Sequence, residues 1–70
     1  MERTAVRSTD IAIIGYEKDT KTLELAFRTG SVYQYREVPE AIYQNLMSSP
    51  SHGIYFRDHI RDKFVSQKIK

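Results

Sequence analysis

From Thr22 to Phe27 the chain alternates without a break, with Leu23, Leu25 and Phe27 on one side and Glu24 and Ala26 on the other. That period of two is the signature of a half-buried strand. Gly30 follows three residues later, and Val32-Tyr33-Gln34-Tyr35 follows the glycine. A three-residue loop, Arg28-Thr29-Gly30, places the glycine where a hairpin needs a left-handed residue, which glycine adopts without a Cβ penalty. This loop pairs Phe27 with Ser31, Leu25 with Tyr33 and Leu23 with Tyr35. A two-residue loop would send both tyrosines to the other face, since a slip of one residue inverts every side chain. The glycine and the better apolar matching favour the three-residue loop.

The remaining segments follow from similar signals. Ile11 to Tyr16 is short, apolar and β-branched, which predicts another strand with both faces at least partly covered. Glu17 to Lys21 is a charged turn. The tyrosine strand stops at Val38-Pro39, because proline has no N–H for a ladder yet suits the first turn of a helix. Ile42, Tyr43, Leu46 and Met47 then form one apolar stripe at helical spacing, up to about Ser48. Ser48-Ser49-Pro50 stops that helix, and Ser51 is a natural N-cap for a second, with Phe56, Ile60 and Phe64 along its inner side. The predicted fold is α+β: a three-stranded antiparallel meander followed by two α-helices packed on the sheet, at least one of which covers the Leu23/Leu25/Phe27 face. One domain is expected over residues 9–64, with a flexible lead-in at 1–8 and a basic, frayed tail at 65–70. Ile11, Ile13, Ala26 and Val32 are expected on the opposite sheet face.

A chain of 70 residues buries only about 60% of its unfolded surface, so its stability is expected to be modest. It has no cysteine, so neither a disulfide nor a thiolate metal site reinforces it, and a reducing cytoplasm suits it. No apolar run approaches a membrane span, and Met1 to Val6 lacks a signal peptide's apolar segment. A soluble cytoplasmic protein is expected. The net charge is +2, unevenly placed. Residues 54–70 carry five cations, Arg57, Arg61, Lys63, Lys68 and Lys70, against Asp58 and Asp62, so the whole positive surplus lies in the last quarter. A local basic surface attracts polyanions.

Three groups of residues are candidates for binding. Tyr33 and Tyr35, on one strand face, suit either the stacking of unpaired bases or a core with wet hydroxyl ends; the register favours the core. Ser51-His52-Gly53 would open a helix whose free N–H groups and dipole attract phosphate, with Gly53 permitting close approach and His52 adding a donor. The plainer alternative makes Ser51 a cap, Gly53 a relief of crowding between helices and His52 an exposed residue. Arg57 and Arg61, four apart on the second helix, share a face suited to gripping two phosphates, with Lys63 beside them. Asp58 and Asp62 alternate with them, a pattern common on solvated helix faces. Catalysis finds little support. His52 and His59 have no metal-ligand spacing, no cysteine nucleophile exists, and no P-loop or dinucleotide motif is present. No cofactor, metal or small-molecule substrate is expected.

Taken together, Gly15-Tyr16, Leu23 to Phe27, Gly30, Val32-Tyr33-Gln34-Tyr35, Val38-Pro39, Ser51-x-Gly53, Tyr55-Phe56 and Ile60-Arg61 resemble the KTSC domain. That family takes its name from the C-terminus of some lysyl-tRNA synthetases and also occurs as small free-standing bacterial proteins. Arg57 departs from its pattern, in which asparagine follows the Tyr-Phe pair, and His52 stands at a variable position. The resemblance implies this fold and points to RNA as a partner, without supplying a reaction. Two functions follow. One is a small nucleic-acid-binding module that uses Arg57, Arg61 and Lys63 with the loop at Ser51 to Gly53. The other is a protein-interaction module, a homodimer or an adaptor, that uses the second sheet face.

Overall fold

A computed structural model describes residues 1–70. Five strands form one antiparallel sheet in sequence order: β1 (Glu2–Ala5), β2 (Ile11–Glu17), β3 (Thr22–Phe27), β4 (Val32–Tyr35) and β5 (Ser66–Lys68). Helices α1 (Glu40–Ser48) and α2 (His52–His59) lie between β4 and β5 in the chain. The meander therefore has four strands before the helices, and β5 returns to pair with β4, Tyr35 opposite Ser66 and Tyr33 opposite Lys68. The expected three-stranded sheet is corrected at both edges, by strands in segments read as lead-in and tail. Every residue of β1 and β5 is exposed, so neither strand carries the alternation that marks a half-buried one. Backbone pairing to β2 and β4 holds them.

The central hairpin has the register that the three-residue loop predicts. Leu23 faces Tyr35 and Leu25 faces Tyr33. Phe27 and Ser31 close the loop, the Phe27 N–H donating to the Ser31 carbonyl at 2.8 Å. Gly30 has φ +98°, a conformation that side-chain-bearing residues rarely adopt. On β2, Ile14 and Tyr16 stand opposite Leu25 and Leu23, and a bulge between Ile11 and Ile13 breaks the alternation. The bulge turns Ile11 into the core, where it is fully buried, and this corrects its expected place on the opposite face.

Ile11, Ile14, Leu23, Leu25, Val38, Leu46 and Ile60 are all fully buried, each contributing about 1.5–3 kcal/mol relative to exposure. Leu46 comes from α1 and Ile60 from the end of α2, and Ile42, Tyr43, Met47, Tyr55 and Phe56 pack around them. Both helices therefore cover the leucine face. Tyr16 and Tyr43 stack at 4.6 Å between ring centres, and the Tyr16 hydroxyl donates to the Val38 carbonyl at 2.5 Å. That bond pins the approach to α1, which starts after Pro39 as expected. Helix α2 ends at His59, with Ile60 as its C-cap and Asp62 at φ +62°. Arg61 and Phe64 therefore lie past the helix, not on it as the sequence reading has them, although Phe64 still packs against the core.

The other sheet face carries no helix. A polar row crosses all five strands there: Arg3, Gly15, Glu24, Gln34 and Gln67 are successive partners. Position 15 is the gap in this row. Arg3 lies over it, so that a Cβ at Gly15 would meet Arg3 Cγ at 3.0 Å and Met1 Sδ at 2.9 Å. Arg3 Nε thereby donates to Glu24 Oε2 at 2.8 Å, and Gln34 Nε2 donates to Oε1 at 2.9 Å. Glu24 is only 9% exposed, and these two bonds, Arg3's first, hold its carboxyl below the ordinary value near 4.5. A carboxyl depressed in the folded state stabilises it above the unfolded pKa, and that contribution is lost as pH falls through the folded pKa. Acid titration of thermal stability below about pH 4.5 should therefore show a falling limb in the parent and a shallower one in Glu24→Gln, which has no proton to take up.

Candidate nucleic-acid interface

The loop before β2, the β3–β4 hairpin and helix α2 meet at one end of the sheet. Ser8 Oγ accepts from the N–H groups of Asp10 and Ile11, both at 3.2 Å, and so shapes the turn into β2. Arg28, the first hairpin-loop residue, reaches back to this turn. Its Nε donates to the Ser8 carbonyl at 2.6 Å and its Nη2 to the Val6 carbonyl at 3.0 Å, while its N–H donates to the Asp10 carbonyl at 2.8 Å. Held from behind in this way, the guanidinium keeps its other N–H groups for a cleft of about 460 Å³.

Phe27 and Phe56 line this cleft together with Arg28, Arg57, Arg61 and Asp10. The two rings meet edge to face at 5.4 Å. A smaller recess of about 310 Å³ shares Phe27, Phe56 and Arg61 and adds Tyr33 and Tyr35. Four aromatic rings and three guanidinium groups thus border two neighbouring recesses. Arg57 pairs with Asp58 at 3.1 Å, both side chains being about half exposed, and such a surface pair is worth little and yields easily. Arg61 makes no ion pair. Its N–H donates to the Phe56 carbonyl at 2.8 Å, which folds it back beside Arg57 although the helix has ended.

The residues singled out in the sequence divide here. Ser51, Gly53, Arg57 and Arg61 line the larger cleft, and Tyr33 and Tyr35 line the smaller recess. Lys63 is exposed and borders neither. Tyr35 is 6% exposed and sits edge to face with Phe56 at 5.6 Å. Burial first, then the Tyr33 hydroxyl, raises its pKa above the ordinary 10.0, with Arg61 opposing. Tyr33 is half-buried against Phe27 and Tyr35, so the register places both tyrosines on the core side, with Tyr33 the wetter.

At the start of α2, Ser51 Oγ accepts from the Ile54 N–H at 3.3 Å, a cap. His52 is half-buried, its Nδ1 2.8 Å from the Leu46 carbonyl, so it ties the two helices together instead of facing the cleft. Gly53 relieves crowding against Asp10, not between helices: a Cβ there would stand 3.1 Å from Asp10 Oδ2. The positive end of α2 therefore already has a carboxylate beside it. Asp10, Phe27, Arg28 and Phe56 were not legible as site residues. Nothing in their spacing links Arg28 to α2; only the hairpin register and the β2 turn bring them together.

With this geometry in view, the chain compares closely with known proteins. The KTSC domain family model matches residues 7–64. The chain belongs to the KTSC domain family. A lysine–tRNA ligase of Nostoc punctiforme is 39% identical over 54 residues, which is 77% of this chain and 10% of that protein. The chain thus spans about a tenth of the curated ligases it matches. An uncharacterized protein of Stutzerimonas stutzeri is 34% identical over 56 residues, covering 80% of this chain and 79% of that one. The crystal structure of a KTSC domain protein from Yersinia pestis superposes with a TM-score of 0.96 at 43% identity, over 99% of this chain and 97% of that one. That coverage takes in both edge strands, which lie outside the family match. Ser51→Ala removes the cap of α2 and is expected to cost about 1 kcal/mol, read as a lowered midpoint in urea unfolding.

Proposed function

We propose that the protein binds single-stranded RNA in the cleft between the β3–β4 hairpin and α2. The observation that carries this reading is the placing of Arg28, Arg57 and Arg61 around Phe27 and Phe56. Guanidinium groups take phosphates, aromatic faces take unpaired bases, and single-strand binders combine the two. RNA is named because relatives of this chain include lysine–tRNA ligases. Tyr33 and Tyr35 extend the aromatic surface from within the core, and Lys63 adds charge nearby.

The test is fluorescence anisotropy with a labelled RNA heptamer across a salt series. Each phosphate contact on a single strand contributes about 0.7 to the slope of log affinity against log salt. The Arg57→Ala/Arg61→Ala double variant is therefore expected to bind more weakly with a slope shallower by about 1.4. Equal affinity and slope in parent and variant would remove the cleft as the RNA site.

A second reading, pairing of two copies, draws on the helix-free sheet face. Beside the polar row, Ala5, Ile13, Ala26 and Val32 are successive cross-strand partners, and Ile69, bonded to Val32, extends the row. Ile13 is 37% and Ile69 48% exposed. Sedimentation across a hundredfold concentration range is expected to show a dimer on this reading, reduced by Ile13→Lys; a monomer throughout excludes it.

A further inference from the structure

Asp10 is the one acidic side chain lining the larger cleft, and a cleft that only gathered phosphates would gain by losing it. Its carboxylate makes no ion pair with Arg28, Arg57 or Arg61, and no hydrogen bond fills its oxygens. Its position is nevertheless set from two sides. Ser8 Oγ holds its N–H and Arg28 N–H holds its carbonyl, while the bare Cα of Gly53 leaves room for Oδ2. An exposed carboxylate on an anchored backbone, with free acceptor capacity beside an aromatic wall and among cations, is equipped to read a base edge.

We infer that Asp10 makes the cleft selective for guanine in single-stranded RNA; this rests on the RNA reading above and names the base that it takes. Guanine alone presents two adjacent donors, N1–H and N2–H, on its Watson–Crick edge, and a carboxylate accepts both at once. Adenine and cytosine set a single amine donor beside a ring-nitrogen acceptor, which repels the second carboxylate oxygen. Uracil offers one N–H flanked by two carbonyls. With guanine against Phe27 and Phe56, a guanidinium of the same cleft complements O6, and the remaining arginines meet the flanking phosphates.

The test compares labelled heptamers that differ only at the centre: seven uridines, and the same strand with one guanosine, adenosine or cytidine. The parent is expected to bind the guanosine strand about tenfold more tightly than the others, at the low end for a bidentate pair because the cleft is open. Asp10→Asn, and equally Asp10→Ala, is expected to abolish that preference, so that the four strands bind within about twofold of one another. A purely structural Asp10 would leave the preference intact in both variants, and that overturns the inference. So does a parent that binds all four strands within twofold; the RNA reading then survives if the double arginine variant still weakens binding. If no heptamer binds at all, both readings fall together.

Discussion

The pairing of β3 with β4 is the constraint on which everything else rests. Leu25 opposite Tyr33 and Leu23 opposite Tyr35 put two rows of apolar side chains on one face. Only a loop with a positive φ at its third residue brings the strands together in that alignment. Shifted by one position, the tyrosines would join Glu24 on the helix-free face. Leu46 and Ile60 would lose their partners, and neither helix would have an apolar floor. The same alignment aims Arg28 back at the β2 turn, so the cleft and the core share one cause.

The two sheet faces solve different physical problems. On the helical side, aliphatic burial and edge-to-face aromatic contacts do the stabilising. On the other, the largely buried carboxylate of Glu24 is made tolerable by two hydrogen bonds, from Arg3 and Gln34. Gly15 makes this possible by leaving out a side chain, so that Arg3 can cross a whole strand to reach Glu24. A glycine that reads as the end of a strand signal thus works as a channel for its neighbour. The arrangement gives β1, which has no buried residue, a specific attachment to the sheet's centre.

Much of this was legible before any coordinates. Gly30, the alternating run before it and Val38-Pro39 after it define the hairpin and the start of α1 through local rules, and local rules can be read from local sequence. The edge strands are invisible to the same rules: Glu2–Ala5 and Ser66–Lys68 bury nothing, and backbone pairing leaves no side-chain pattern to read. Ile11 was misplaced because a bulge adds one residue without leaving a compositional mark. In the cleft, the arginines of the C-terminal segment stood out by charge and Ser51 by its capping chemistry. Asp10 and Arg28 did not, since contacts across the fold bring them to the cleft. Gly53 was read as relieving crowding between helices, but the side chain that crowds it, Asp10, lies some forty residues away.

Because β5 returns to pair with β4, the first and last strands occupy opposite borders of the sheet. Four inter-strand steps separate them, about 19 Å at ordinary spacing. Anything tethered beyond Met1 would leave from one flank and anything beyond Lys70 from the other. A linker joining the two termini in a permuted chain therefore has to run the full width of the sheet.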